Sequence, residues 1–231
     1  MPITINSTTV GETASFDTTA HSLAITIADS TNRALFAGLA YRGTAGIATG
    51  GITASFGGTA MASVVSTSTG VNWIGVYYLT NPATGANTLT WTITGETLSS
   101  LKTAILCVNE ALQAVPGTST SQIIVAGTSA ASIVLTPTSA DSWVFDTILQ
   151  NAAAVRETAG ANQVLVGTLT GTGLSVGASY ETQSGNPAPI TMSWESTSTS
   201  RWLQCVVAVS PTTTPVTIGI MTPNIFHWGG V

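Results

Sequence analysis

From Leu89 to Thr94 the chain sets Leu, Trp and Ile at every second position and Thr at each position between. A period of two is what a half-buried antiparallel strand requires, because successive side chains point to opposite faces. The run before it, Val71 to Leu79, is half apolar and closes on Tyr77, Tyr78 and Leu79. Between them stand Asn81, Pro82, Ala83, Thr84 and Gly85, with Pro and Gly in turn positions. The stretch 71–95 therefore reads as two strands joined by one tight loop, a central hairpin around which the chain is organised.

The same signals recur on both sides of it. Ile3 and Ile5 alternate with Thr4 and Asn6, and Leu23, Ile25 and Ile27 alternate with small or polar residues. Leu35 to Tyr41 is an almost continuous apolar run, which predicts a strand covered on both faces. Gly57 and Gly58, between Ile52–Phe56 and Met61–Val65, predict a hairpin. Further strands are read at 101–108, 123–125, 133–135, 143–149, 164–169, 175–181, 190–195 and 202–209. The glycine-rich stretch Gly167 to Gly177 reads as a hairpin, and Asn151 to Gly160 as a long loop or one helical turn. About a dozen short strands with regular turns and no convincing helix predict an all-β, two-sheet antiparallel β-sandwich or a barrel.

Composition narrows the partners. Charged residues are 6% of the chain against roughly 25% in ordinary domains. The basic residues are Arg33, Arg42, Lys102, Arg156 and Arg201, and the formal net charge is −5. Nucleic-acid binding needs clustered cations to displace phosphate counterions, and these five form no patch. No apolar run reaches the roughly 18 residues of a membrane span. Met1 to Thr4 shows neither a basic nor an apolar leader segment, so no signal peptide is expected. Polar faces built from Ser, Thr, Asn and Gly lose little on burial against another subunit. They fit a protein that works inside an assembly, or simply one with a neutral surface.

No residue set reads as an active site, and no enzyme activity, cofactor or metal is expected. His21 and His227 lie far apart, and a Ser nucleophile needs a base beside it. Glu96, Glu110, Glu157, Glu181 and Glu195 form no evident acid pair. Asp141 and Asp146 flank a strand and stand isolated. The Gly167–Gly177 stretch lacks the spacing and the following helix of a phosphate loop. Trp73, Trp91, Trp143, Trp194 and Trp202 sit in apolar or alternating runs, where a ring belongs to the core more often than to a sugar platform. Cys107 and Cys205 also sit in apolar runs, as two buried thiols or as a disulfide.

Pro211 marks a change. Pro211 to Pro215 is a stiff linker by composition, and an apolar segment follows. The domain reading is a sandwich over 1–210 and a linker with an apolar C-terminal arm over 211–231. Ile218, Ile220, Ile225, Phe226 and Trp228 are the candidate assembly contacts, the competing reading being one more edge strand on the chain's own sheet.

The segment Phe56-Gly57-Gly58-Thr59-Ala60-Met61, followed by Tyr77-Tyr78-Leu79, Asn81-Pro82 and Gly85, resembles a jelly-roll-like module of phage virion proteins and bacterial surface proteins. Asn32 to Leu35, Ala188 to Trp194 and Ser200 to Trp202 extend the resemblance over roughly residues 10 to 210. It implies a jelly-roll-like sandwich and assigns no catalytic residues. The expected function is a virion structural protein, a capsid decoration (cement) or spike protein on the capsid surface or tail. Its expected partners are copies of itself, a trimer first, and a major capsid or other virion protein. The alternative is a carbohydrate- or receptor-binding module of a tail fibre or cell surface.

Overall fold

The structure is a computed structural model and describes residues 2–12, 20–43, 51–94, 98–152, 158–171 and 173–212. Every regular element among them is a β-strand. The first nine are β1 (Thr4–Glu12), β2 (Ala20–Ile27), β3 (Ala34–Gly43), β4 (Ile52–Phe56), β5 (Thr59–Ala60), β6 (Ala62–Thr69), β7 (Asn72–Thr80), β8 (Gly85–Ile93) and β9 (Leu98–Asn109). The rest are β10 (Ser119–Ile124), β11 (Ala130–Leu135), β12 (Trp143–Gln150), β13 (Thr158–Ala159), β14 (Val164–Leu169), β15 (Ser175–Thr182), β16 (Ile190–Glu195) and β17 (Trp202–Val209).

They form four antiparallel sheets. Two large inner sheets run β1-β9-β3-β7-β6 and β10-β17-β12-β15-β14. Two smaller outer sheets run β2-β8-β4-β5 and β11-β16-β13. In the first half, successive strands step between its two sheets in the order of a jelly roll, two Greek keys closed face to face. The all-β antiparallel sandwich is thus what the chain forms, with two stacked pairs of sheets rather than one pair.

Alternation decides the layering. Phe36, Ala40, Ile74, Val76 and Leu106 on the first inner sheet meet Phe145, Leu149, Val176 and Leu203 on the second. Their neighbours Leu35, Leu39, Tyr41, Trp73 and Ile105 face the first outer sheet, against Ile25, Phe56, Leu89 and Trp91. Val144, Ile148, Trp202 and Val206 face the second outer sheet, against Ile133, Met192 and Trp194. Both inner sheets are covered on both faces, which is why β3, β7, β12 and β17 are buried along nearly their whole length.

The second half repeats the first. Its inner sheet has the same strand order, and single residues fall in equivalent places. Phe36 pairs with Tyr78 and Leu106, and Phe145 with Tyr180 and Val207. Trp91 lies between His21 and Ala54, and Trp194 between Ala131 and Ala159. The ladder of β6 on β7 shifts between Ser63 and Val65, that of β14 on β15 between Leu165 and Gly167. Asn32 and Asp141 take positive φ of 49° and 54° at matching turns. Across the interface β6 lies against β10 and β14 against β1, so an approximate twofold relates the modules. Equivalent residues meet near its axis: the Phe36 and Phe145 rings are 6.0 Å apart. A Cβ on Gly38 would come within 2.9 Å of the equivalent Thr147.

Two local readings need correction. The stretch 71–95 is not a hairpin: β7 belongs to an inner sheet and β8 to an outer one, and residues 81–84 carry the chain between them. The strand of the doubly covered sheet is apolar on both faces, and that of the outer sheet alternates. Gly57 and Gly58 do turn a hairpin, with φ of 55° and 82°, but it joins β4 only to the two-residue β5. From Ala62 onward the chain crosses to the inner sheet as β6.

Candidate functional site

The most unusual chemistry lies in the core of the second module. Strand β12 reads Trp-Val-Phe-Asp-Thr-Ile-Leu-Gln, a carboxylate inside a strand covered on both faces. Asp146 therefore does not flank the strand but sits in its middle, on the face toward the second outer sheet, with no exposed surface. Its Oδ1 accepts a hydrogen bond from Ser179 Oγ at 2.5 Å. Its Oδ2 accepts from Trp194 Nε1 at 2.6 Å and from Gln204 Nε2 at 2.8 Å. Strands β15, β16 and β17 thus each deliver one neutral donor.

A further ring of amides holds these donors. Gln163 Nε2 donates to Ser179 Oγ at 2.6 Å, and Gln163 Oε1 accepts from the Ser193 amide at 2.7 Å. Gln122 Nε2 donates to Gln204 Oε1 at 2.9 Å. Burial pushes the Asp146 carboxyl up to about 6, against the lowering effect of the hydrogen bonds from the Ser179, Trp194 and Gln204 side chains and the Ser179 backbone. The first module has Ala37 in this place, paired with Tyr77 where Asp146 pairs with Ser179. One module fills the space with a phenol ring, the other with a polar network.

Outside Trp194, the solvent face of the second outer sheet carries a hollow of about 320 Å³ lined by Ser132, Thr158, Gly160, Ser193 and Glu195. Trp194 is fully buried and presents no ring face there. Ser179 beside Asp146 forms a Ser–carboxylate pair, but among the described residues no histidine stands beside it, and both side chains are buried. Both groups are buried in the core, where the arrangement orients side chains and can take up a proton. Among the described residues no group of three or more His, Cys, Asp or Glu is placed to hold a metal ion.

The other sequence candidates are scattered. Glu110 accepts hydrogen bonds from Thr31 Oγ1 and from Asn32 Nδ2, which hold its carboxyl below the ordinary range. Glu181 is on β15, where partial burial raises its carboxyl, and Glu195 is exposed on β16. Asp141 caps a turn, accepting the Gly185 amide at 2.7 Å. His21 is buried against Trp91. Cys107 and Cys205 are both free and buried in different core clusters, Cys107 with its thiol pushed up to about 12. Glu96, Glu157, His227 and the candidate contacts Ile218, Ile220, Ile225, Phe226 and Trp228 lie outside the described residues. Sequence reasoning missed Gln163, Ser179 and Gln204, which look like ordinary strand and turn residues. The one available signal was a carboxylate inside an unbroken apolar strand. Comparison with known proteins finds no matching family model, no matching curated protein and no matching solved structure.

Proposed function

We propose that this chain is a structural protein of a virion, a capsid decoration or spike subunit, acting by contact with copies of itself and with a shell protein. The observation that carries the reading is the state of the sheet edges. Strands β10, β11 and β14 are edge strands, β10 and β14 lying against β6 and β1 of the first module on one side, and none holds a charged residue. They expose Ile123, Val134, Val164 and Leu165. Such edges are poorly guarded against pairing with another chain, and charges are the usual protection. The sealed core chemistry and the resemblance of the 56–85 segment to virion modules support the same reading. Residues 216–231 are proposed as a second contact.

Sedimentation of the full chain at micromolar concentration tests it, with a trimer expected first and a monomer counting against it. Lysine at Ile123 or Leu165 should dissociate the oligomer while leaving the fold intact, and deleting 216–231 should weaken attachment to the particle. Detection of the chain in purified particles, by mass spectrometry or as density on the shell, tests the virion assignment. The hollow beside Ser132, Ser193 and Glu195 motivates the alternative, a module binding a glycan or receptor. Specific signals on a glycan array would favour it.

A further inference from the structure

We propose that Asp146 makes the second module acid-stabilised, with its core held tightest when a proton sits on the carboxyl buried beneath Trp194. The geometry points that way. A carboxylate with no exposed surface is met by neutral donors alone, the side chains of Ser179, Trp194 and Gln204 and the Ser179 backbone, and among the described residues no basic side chain pairs with it. Hydrogen bonds from neutral groups offset only part of the cost of burying a charge. Protonation removes the charge and leaves a carboxylic acid that can still hydrogen-bond to Ser179, whose oxygen accepts from Gln163 and keeps a second lone pair.

Among the described residues the titratable groups around it supply no positive charge. Strand β15 brings Ser179 and, farther along the same face, Glu181; β16 brings Trp194; β17 brings Gln204, with Cys205 turned to the opposite core cluster. Glu181 and Cys205 would both be anionic if ionised, and neither stabilises a second negative charge. The fold itself does not require the acid, because the first module packs Ala37 and Tyr77 in the equivalent places.

The sign follows from linkage. A carboxyl that titrates near 6 folded and at 3.8 as an unperturbed group binds more protons in the native state between those values. The stabilisation is complete below the unfolded value and is lost as pH rises through the folded one. Moving from pH 8 to pH 4 should lower the unfolding constant by about sixtyfold through this group, about tenfold of it between pH 7 and pH 5.

The test is chemical denaturation of the full chain and of Asp146→Asn between pH 5 and pH 8. The wild type is expected to gain stability on acidification across that window. Asp146→Asn should lose that gain and be at least as stable as the wild type at pH 8. The difference between the two proteins isolates Asp146 from every other titrating group of the chain. If the asparagine variant fails to fold, carbon-detected NMR titration of the Asp146 carboxyl in the wild type decides instead. A midpoint near 6 supports the proposal. A midpoint at or below 3.8, or a variant that keeps the wild-type pH dependence, overturns it.

Discussion

Trp91 and Trp194 hold equivalent positions, and their indole N–H groups fare differently. Trp91 Nε1 is buried with no hydrogen-bond partner among the described residues, whereas Trp194 Nε1 donates to Asp146. Trp91→Ala should cost about 3–5 kcal/mol, because the ring is buried between two sheets. A denaturant midpoint that hardly moves would contradict that placement. The phenylalanine variants separate packing from polarity. At pH 8 Trp194→Phe should cost about 1.5–3 kcal/mol more than Trp91→Phe, the worth of a hydrogen bond to a charged group. At pH 5 the gap should shrink toward the ~1 kcal/mol of a neutral bond. Glu110 opposes Asp146 in sign. Its folded carboxyl is held below 4.5, chiefly by Thr31 and then Asn32, so it stabilises above that pH and the benefit is lost on acidification. Glu110→Gln should therefore flatten the loss of stability below pH 4.5, read as urea midpoints at pH 3.5 and 5.5.

Elements show why strands were legible and their partners were not. The alternation at Leu89, Trp91 and Ile93 marks a sheet with one wet face, and the unbroken run at Leu35 to Tyr41 marks one covered on both. Both features are written in local burial, so sequence carries them. Which strands share a sheet is a long-range matter, and the Asn81–Thr84 turn looks alike whether it closes a hairpin or crosses between sheets. The different patterning of 72–80 and 85–93 was the available clue. The repeat was harder to see, because the fold conserves burial and pairing rather than residues. Phe36 and Phe145, Tyr78 and Tyr180, Gly75 and Gly177, and Trp91 and Trp194 recur in matching positions, while Ala37 and Tyr77 stand where the second module has Asp146 and Ser179. The paired glycines have a steric reason: a Cβ on Gly75 would lie 2.5 Å from the Trp73 ring, and one on Gly177 would lie 2.6 Å from the Trp194 ring. Gly75→Ala and Gly177→Ala should each cost about 1–3 kcal/mol by overpacking. Gly70→Ala is the contrast. It sits at the β6–β7 turn with φ of 58° and open space around it, so only the left-handed backbone opposes the change, by about 1–2 kcal/mol. Thermal unfolding of the three variants checks both magnitudes.

At the scale of the whole molecule the two modules share a core. Chains with separate domain cores commonly unfold in separate steps. Here Phe36, Ile74, Val76 and Leu106 of one module and Phe145, Val176, Leu203 and Val207 of the other form one cluster. Neither module can open its inner face without exposing that of its partner, and a large apolar interface suppresses the relative motion usual between domains. The chain is therefore expected to unfold in one transition, with tryptophan fluorescence and far-ultraviolet circular dichroism tracing the same curve. Coupling at the pseudo-twofold axis can be measured directly. Phe36→Ala and Phe145→Ala should each cost about 3–5 kcal/mol. Their double variant should depart from additivity by 0.5 kcal/mol or more, as expected of aromatic residues in contact, here with ring centroids 6.0 Å apart. Two resolved transitions, with the cost of Phe36→Ala confined to one of them, would show that the modules are joined by the chain and not by the core. A single transition with a coupled pair would mean that a load on one outer sheet is borne by all four layers.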